Sequence, residues 1–303
     1  MTLPDWIAVD WGTSNLRAWA IAQDGSVLDH RRSDTGMSKL EKAEYEPALL
    51  ALIDDWLQGT SAPVICCGMV GSQQGWVEAP YRTAPCPPFG SEAVPADTKD
   101  PRLSVYVVPG IKQTEPADVM RGEETQIAGV LAQKPDFDRV ICLPGTHSKW
   151  VRISAGEIVS FVTFLTGEMF ALLSEVSVLR HCVATSGWDD DSFQMALNDA
   201  MTSPKMFAAR LFNLRAETLV ADLSPESARA RLSGLLIGLE LAAARPYWLG
   251  QDVVIVGTGH LSETYEQALT YLGAGPKKLD ATKVTIAGLS LAHITLGKCG
   301  ANT

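Results

Sequence analysis

Ile7-Ala8-Val9-Asp10-Trp11-Gly12-Thr13-Ser14-Asn15-Leu16-Arg17-Ala18-Trp19-Ala20-Ile21 carries an apolar run into an acid and then into a small polar turn. Ile7, Ala8 and Val9 are a short buried-strand signal, and Gly12 to Asn15 supply backbone N–H groups, hydroxyls and a residue tolerant of unusual φ/ψ. A turn of that make-up can wrap an oxyanion. Leu16 to Ala22 resumes as strand, Asp24-Gly25 is a tight-turn pair, and Ser26 to Leu28 continues beyond it, so the polar turn heads a meander. Asp10 is then aimed at whatever the turn holds. An ordinary hairpin with a polar turn has the same local pattern, and short motifs of this kind match by chance.

A second copy weighs against the ordinary hairpin. Val140 to Leu143 is another apolar strand, Pro144-Gly145-Thr146-His147-Ser148 another glycine-threonine turn, and Lys149 to Ile153 another strand. Ala155-Gly156 then turns the chain into Glu157 to Phe161. Each copy has a basic residue soon after the turn, Arg17 and Lys149, which points to an internal duplication with two phosphate-binding hairpins facing each other. Two opposed cradles imply a polyphosphate held between two lobes.

The 303 residues exceed what one core usually spans, and 46% hydrophobic against 20% charged residues places the chain among globular proteins. A net charge of -10 opposes nucleic acid and anionic membrane as partners and leaves a small molecule. Met1 to Asp5 does not open a secretion signal, and Leu232 to Leu249 is interrupted by Glu240, Arg245 and Pro246, so neither export nor membrane spanning is expected. Cys66, Cys67, Cys86, Cys142, Cys182 and Cys299 form no C-x-x-C pair, which favours a reducing cytoplasm. Five scattered histidines give little support to zinc, and the metal expected is Mg²⁺ carried by phosphates.

In chain order, the polar loop Asp34 to Lys39 is followed by Leu49, Leu50, Ile53, Trp56 and Leu57 at helical spacing, an amphipathic helix over 45–57. Pro63 to Val70 reads as strand and opens into Gly71-Ser72-Gln73-Gln74-Gly75-Trp76-Val77-Glu78-Ala79-Pro80-Tyr81, whose hydrogen-bonding side chains and two aromatics suit a sugar-pocket wall or a solvated loop. Five prolines between 83 and 101 predict an irregular excursion before Val105 to Val108 returns to strand. Arg121-Gly122-Glu123-Glu124-Thr125-Gln126 begins a helix with two acids in its first turn. They either complement the helix dipole or supply a general base to the cleft between the hairpins. Arg121 would steady an anionic substrate or a phosphate, a solvated arginine being the commoner case.

Phe164 to Phe170 enters another helix, with Thr166 and Glu168 placed to face the pocket. Ser203-Pro204 and Ser224-Pro225 are helix starts, Leu232 to Ala244 is a buried helix, and this stretch reads as the helical part of the second lobe. Val253 to Ser262 is strand, Gly257-Thr258-Gly259 turn and helix start, built for a nucleotide face; a last helix is expected from about Ile286 to Leu296. The third glycine of a dinucleotide fingerprint is missing, Ser262 standing in its place, and no P-loop occurs. Gly288 to Ala292 approximates a nucleophile elbow but lacks its final glycine.

Together these stretches resemble the phosphate-1, phosphate-2 and adenosine motifs of the sugar kinase, heat-shock ATPase and actin superfamily. Within it, Asp10 to Trp19, Gly68 to Ser72, Arg121 to Gln126, Leu143-Pro144-Gly145-Thr146-His147-Ser148-Lys149-Trp150 and Phe164 to Phe170 resemble the 2-dehydro-3-deoxygalactonokinase family over nearly the whole chain. The resemblance implies a two-lobed, duplicated ribonuclease-H-like α/β fold with mixed sheets flanked by helices, divided as 1–135 and 136–303. It implies ATP-dependent phosphorylation of 2-dehydro-3-deoxy-D-galactonate to its 6-phosphate, with ATP and Mg²⁺ as cofactors and Asp10 on the metal. Glu123 is the expected base. Related sugar kinases usually place Asp at this helix start, and Glu124 stays open as the alternative.

Gly12, Thr13, Ser14, Asn15, Gly145, Thr146, His147 and Lys149 would hold the phosphates, and Gly257, Thr258 and Gly259 the adenosine. Met37, Gly71, Ser72, Trp76, Tyr81, Arg121, Thr166 and Glu168 would face the substrate. A homodimer is an allowed assembly. The rival readings are a kinase of the same fold acting on another sugar or sugar acid, and an actin-like nucleotide-binding protein that is no kinase.

Overall fold

The apolar residues of β1 (Trp6–Trp11) alternate between two buried faces, which is why the strand reads as a nearly continuous apolar run. The computed structural model describes residues 3–90 and 92–300, with side chains through 297. The chain divides into two compact units, Met1–Asp138 with Ser154–Ser160 and Ala281–Thr303, and Arg139–Ile153 with Phe161–Asp280.

In the first unit β1 is followed by β2 (Leu16–Ile21), β3 (Val27–Ser33), α1 (Tyr45–Leu57) and β4 (Ala62–Gly68). The short strands β5 (Arg82–Thr83) and β6 (Val94–Ala96), then β7 (Leu103–Val107), β8 (Ile111–Thr114), β9 (Ala117–Met120) and α2 (Glu123–Gln133) complete this stretch. The main sheet runs β3-β2-β1-β4-β7-β6, with β1 antiparallel to β2 and parallel to β4. Ile7, Val9 and Trp11 pack with Leu49, Ile53 and Trp56 of α1 on one face. Trp6, Ala8 and Trp19 pack on the other face with Leu289 and Ala292.

Next in the chain come β10 (Val140–Leu143) and β11 (Ser148–Ser154) of the second unit and β12 (Glu157–Phe164), whose residues from Phe161 on group with that unit. Five helices follow: α3 (Thr166–Glu175), α4 (Asp190–Thr202), α5 (Phe207–Val220), α6 (Pro225–Ala243) and α7 (Arg245–Trp248). Then come β13 (Val253–Gly257), α8 (Gly259–Tyr271) and β14 (Lys277–Asp280), before α9 (Ala281–Gly300) returns the chain to the first unit. The sheet order is β12-β11-β10-β13-β14, again with antiparallel β10–β11 and parallel β10–β13 and β13–β14. Leaving aside edge strand β6, both sheets have the order 3-2-1-4-5, so the duplication read from the two turns is a duplication of topology. This is the actin-like ATPase fold.

The structure amends the expected outline at several places. The compact units differ from a single division at 135, because residues 281–303 group with the first unit. The last helix starts at Ala281 rather than near Ile286, burying Val284 and Thr285 in its first turns. Strand β14 carries no apolar alternation because it is a sheet edge with mostly exposed residues. The β8–β9 hairpin was likewise unmarked in the sequence, and the proline-rich excursion contains β5 and β6. Gly288 to Ala292 is helix interior, with Ser290 Oγ donating to the Ile286 carbonyl at 2.8 Å, so it is no elbow.

Cys66, Cys67, Cys86, Cys142 and Cys182 are buried free thiols, and burial pushes those of Cys66 and Cys142 upward. The Cys299 side chain lies outside the described residues. No helix among the described residues is long and apolar enough to cross a membrane.

Helices α2 and α9 meet backbone to backbone. A Cβ on Gly129 would stand 1.8 Å from the Val284 carbonyl oxygen, and one on Gly288 would stand 2.0 Å from that of Thr125. No rotamer relieves a clash with backbone. Gly288→Ala is therefore expected to cost at least about 2 kcal/mol, read as a lower urea midpoint with unchanged slope. An unchanged midpoint would mean that the two helices are not in backbone contact.

Candidate active site

Asp10 is the next-to-last residue of β1, opposite Arg17 in the ladder, and its Oδ2 accepts a hydrogen bond from Arg17 Nη2. The turn after it is closed by Gly12 N–H donating to the Asn15 carbonyl at 2.9 Å. Residues 36–38 clasp it from below: Met37 N–H donates to Gly12 O and Ser38 N–H to Thr13 O, both at 3.0 Å. Gly36 allows that approach, since a Cβ there would lie 2.3 Å from Thr13 O. The carbonyls are thus occupied inward while Thr13, Ser14 and Asn15 stay exposed. Met37, expected to face substrate, gives its backbone to the clasp and packs its side chain on the core.

The ends of β1 and β4 lie side by side, Asp10 opposite Cys67 and Trp11 opposite Gly68. Gly68 has φ of 94°, and a Cβ on it would meet Trp11 O at 2.7 Å and Asp10 Oδ1 at 3.4 Å. Gly122, with φ of 106°, caps α2, and its own hypothetical Cβ would be 3.3 Å from the Gly68 Cα. The start of α2 is therefore seated against the strand end that carries Asp10.

The two acids of that start have separate environments. Glu124 is fully buried, accepts Gly122 N–H on both oxygens at 2.9 and 2.7 Å, and takes a weaker bond from Thr125 Oγ1. Burial first, then the neighbouring Glu123 charge, push its carboxyl up to about 7. Glu123 is only partly buried and accepts Arg121 N–H at 3.0 Å.

Arg121 stacks over Tyr81 at 4.2 Å and donates through Nη2 to Ala79 O at 2.9 Å. Its Nε and Nη1, and the nearby loop's Ser72 Oγ, are buried without a hydrogen-bond partner. Gly71 lies under this guanidinium, where a Cβ would come within 2.9 Å of Nη1. Gly71, Tyr81 and Arg121 are thus brought together, and Ser72 follows Gly71 in the same loop. Trp76 is not part of that wall: it is 5% exposed and packs against Trp11 and Tyr45 in the core, where its apolar area is buried.

In the second unit, Gly145 and Thr146 form the turn between β10 and β11. Gly167 of α3 backs onto it so closely that a Cβ would lie 2.3 Å from Gly145 O. Glu168 N–H donates to Thr146 O at 2.9 Å, and His147 Nε2 lies 2.5 Å from Glu168 Oε2, both side chains being part-exposed. Lys149 is buried, opposite Leu143 in the ladder.

A cavity of about 340 Å³ opens beside the turn, lined among others by Thr146, Phe170, Trp188, Arg229, Leu236 and His260. Trp188 and His260 meet edge to face at 4.8 Å, and Arg229 lies 5.0 Å from the Phe170 ring centre. Its mixture of apolar walls, aromatic rings and one cation suits a heteroaromatic ligand. Gly257, Thr258 and Gly259 end β13 and start α8, and the wall itself is made by the next residues, His260, Leu261 and Thr264.

Thr166 donates to Glu240, which the sequence marked only as a break in an apolar segment. Glu240 is 2% exposed and accepts hydrogen bonds from Trp150 Nε1 at 2.8 Å, Tyr265 Oη at 2.7 Å and Thr166 Oγ1. Burial raises its carboxyl above the ordinary range, with hydrogen bonding from Thr166, Tyr265, Trp150 and Ser148 pulling the other way. The only hint in the sequence was an acid inside an otherwise apolar helix.

A duplicated ribonuclease-H-like fold, with a glycine-threonine turn in each half and a carboxylate near the first strand end, places the protein in the actin-like ATPase fold class. A sequence model of the 2-keto-3-deoxy-galactonokinase family matches residues 10–292, and the chain belongs to that family. The Rhizobium meliloti (strain 1021) protein named "Probable 2-dehydro-3-deoxygalactonokinase DgoK1" is 38% identical over 295 residues, 94% of this chain and 95% of that one. The Escherichia coli (strain K12) 2-dehydro-3-deoxygalactonokinase is 32% identical over 294 residues, 95% of this chain and 97% of its own length. A crystal structure described as "a putative 2-dehydro-3-deoxygalactonokinase protein from Sinorhizobium meliloti" superposes with a TM-score of 0.87 at 37% identity, covering 95% of this chain and 97% of that one. The protein is thus a sugar-acid kinase of this family.

The folded chain keeps the Glu124 proton up to about pH 7, whereas the unfolded chain releases it near the ordinary value of 4.5. The native state binds the extra proton inside that window, so stability falls as pH rises through it and levels off above. Glu124→Gln removes the titration, and the loss between about pH 5 and about pH 8 should be smaller than in the unsubstituted protein by up to about 3 kcal/mol. Urea midpoints of both proteins at the two pH values check it. Equal slopes would show that Glu124 is ionised in the fold throughout.

Proposed function

We propose that the protein transfers the γ-phosphoryl group of ATP to the terminal hydroxyl of 2-dehydro-3-deoxy-D-galactonate, forming the 6-phosphate in galactonate catabolism in the cytoplasm. The observation that supports this reading is the seating of the start of α2, whose first residue is the part-exposed Glu123, on Gly68 at the strand end beside Asp10. Glu123 accepts the hydroxyl proton as the oxygen attacks the γ-phosphorus. The new P–O bond forms while the bond to the bridging oxygen breaks, and ADP leaves with that electron pair. Glu124 is the poorer candidate because both its oxygens are turned to Gly122 N–H and it has no exposed surface.

The backbone N–H groups and hydroxyls of Thr13 to Asn15, in the turn that Gly12 closes, and of Gly145 and Thr146 hold phosphate oxygens, and the aromatic-lined cavity of the second unit takes the adenosine. Arg121, stacked on Tyr81 with two unpartnered nitrogens, faces the sugar-acid carboxylate. Asp10 is a single part-exposed carboxylate, a donor set suited to Mg²⁺ carried mainly by phosphates and water. When bound there, the ion neutralises charge on the phosphates.

Glu123→Gln should lower turnover by about 10² to 10⁴-fold at saturating ATP and sugar acid, the usual contribution of a positioned base. Glu124→Gln should lower it less. A larger loss in Glu124→Gln would move the base by one residue, and no loss in either would remove the base from α2. A Cβ at Gly145 meets nothing closer than 3.7 Å, so the fold accepts a side chain there. Gly145→Val should then raise the KM for ATP more than the KM for the sugar acid; equal KM values would take the phosphates away from this turn.

A further inference from the structure

Inside the second unit, a chain of polar atoms runs from Glu240 to the turn that carries Gly145. Trp150 Nε1 has a proton and no lone pair to offer, so Glu240 Oε1 must accept it. Tyr265 and Thr166 converge on Oε2. With the proton of Tyr265 committed to Glu240, its oxygen accepts from Ser148, 2.9 Å away. With the proton of Ser148 committed to Tyr265, its Oγ has only lone pairs left for Gly145 N–H, at 3.5 Å. That last bond is long, enough to orient the N–H and weak enough to yield to a better acceptor.

We infer that Glu240 is the positioning residue of the Gly145–Thr146 turn: it sets the direction of the hydrogen-bond chain that ends on Gly145 N–H, and through Thr166 it ties the start of α3 to the same point. The effect on ATP rests on the proposed phosphate role of the turn, whereas the order of the turn itself does not. Glu240 sits on α6 with Arg229, Ser233, Leu236 and Ile237, which line the adjoining cavity, so one carboxylate also fixes the cavity wall relative to the turn. A carboxylate is required rather than an amide. In Glu240→Gln the NH₂ group cannot face Trp150, which is a donor only, and takes the position of Oε2. Tyr265 must then donate to Ser148, which reverses that bond, frees the Ser148 proton to rotate, and loosens the hold of its Oγ on Gly145 N–H.

The test compares Glu240→Gln and Tyr265→Phe with the unsubstituted protein, reading cooperative unfolding, hydrogen exchange of the turn peptide without ligand, and the separate KM values for ATP and sugar acid. Both variants should exchange faster at the turn and raise the KM for ATP about three- to ten-fold, the size of one ordinary hydrogen bond, with the KM for the sugar acid unchanged. Turn exchange equal to the unsubstituted protein in folded variants would overturn the inference. Faster exchange with an unchanged KM for ATP would uphold the positioning role and place the failure in the phosphate assignment. If Glu240→Gln does not fold, Tyr265→Phe, which keeps the ring and removes one hydroxyl, decides by the same readings.

Discussion

Backbone meeting backbone is the constraint on which both units depend. At Gly68 the carbonyl of Trp11 leaves no room for a Cβ, and only a residue free to take positive φ fits the turn there. The start of α2 rests on that glycine, which ties the two acids of the helix to the strand end of Asp10. Farther along α2, Gly129 and Gly288 let α9 approach to contact distance. In the second unit Gly234 and Gly238 do the same for α6 against α4, and Gly167 for α3 against the phosphate-type turn. Functional groups held this way are placed by the main chain, with few side-chain rotamers to order.

The two buried carboxylates illustrate different answers to desolvation. Glu124 is satisfied locally, by the N–H of the residue that caps its own helix, and its proton affinity rises because burial strips it of water and Glu123 is adjacent. Glu240 is satisfied by three donors from three separate elements, which makes it a junction. An unpaired buried charge would be costly, so a junction of this kind locks its partners together once formed. Arg121 lies at the other extreme, a guanidinium stacked on Tyr81 with part of its donor capacity unmet. Unmet capacity of that sort suits a group that completes its shell with a ligand.

Much of the fold was legible because its signals are local. The strand-turn-strand pattern at Ile7 to Ile21 recurs at Val140 to Ile153, and a repeat of that kind survives as a repeat of sheet order. Helix α1 announced itself through Leu49, Ile53 and Trp56, and the start of α2 through a glycine followed by two acids. Edge strands such as β14 were silent, since an edge needs no apolar alternation. Trp76 was misread because an aromatic in a polar loop gives no sign of the direction it faces; Tyr45 and Trp11, which bury it, come from two other elements.

The sequence by itself determined the duplicated hairpins, the family, and the short list of acids that could act, because each depends on residues adjacent in the chain. Tertiary structure alone decided which acid of the Glu123–Glu124 pair keeps exposed surface, since burial is a property of what packs above a residue. It alone decided that Glu240 is a junction, for its partners Thr166, Trp150 and Tyr265 lie 74, 90 and 25 residues away in the chain. Spacing within a segment fixes which way a side chain leaves its own helix or strand. The groups it meets there are set by elements that only folding brings near.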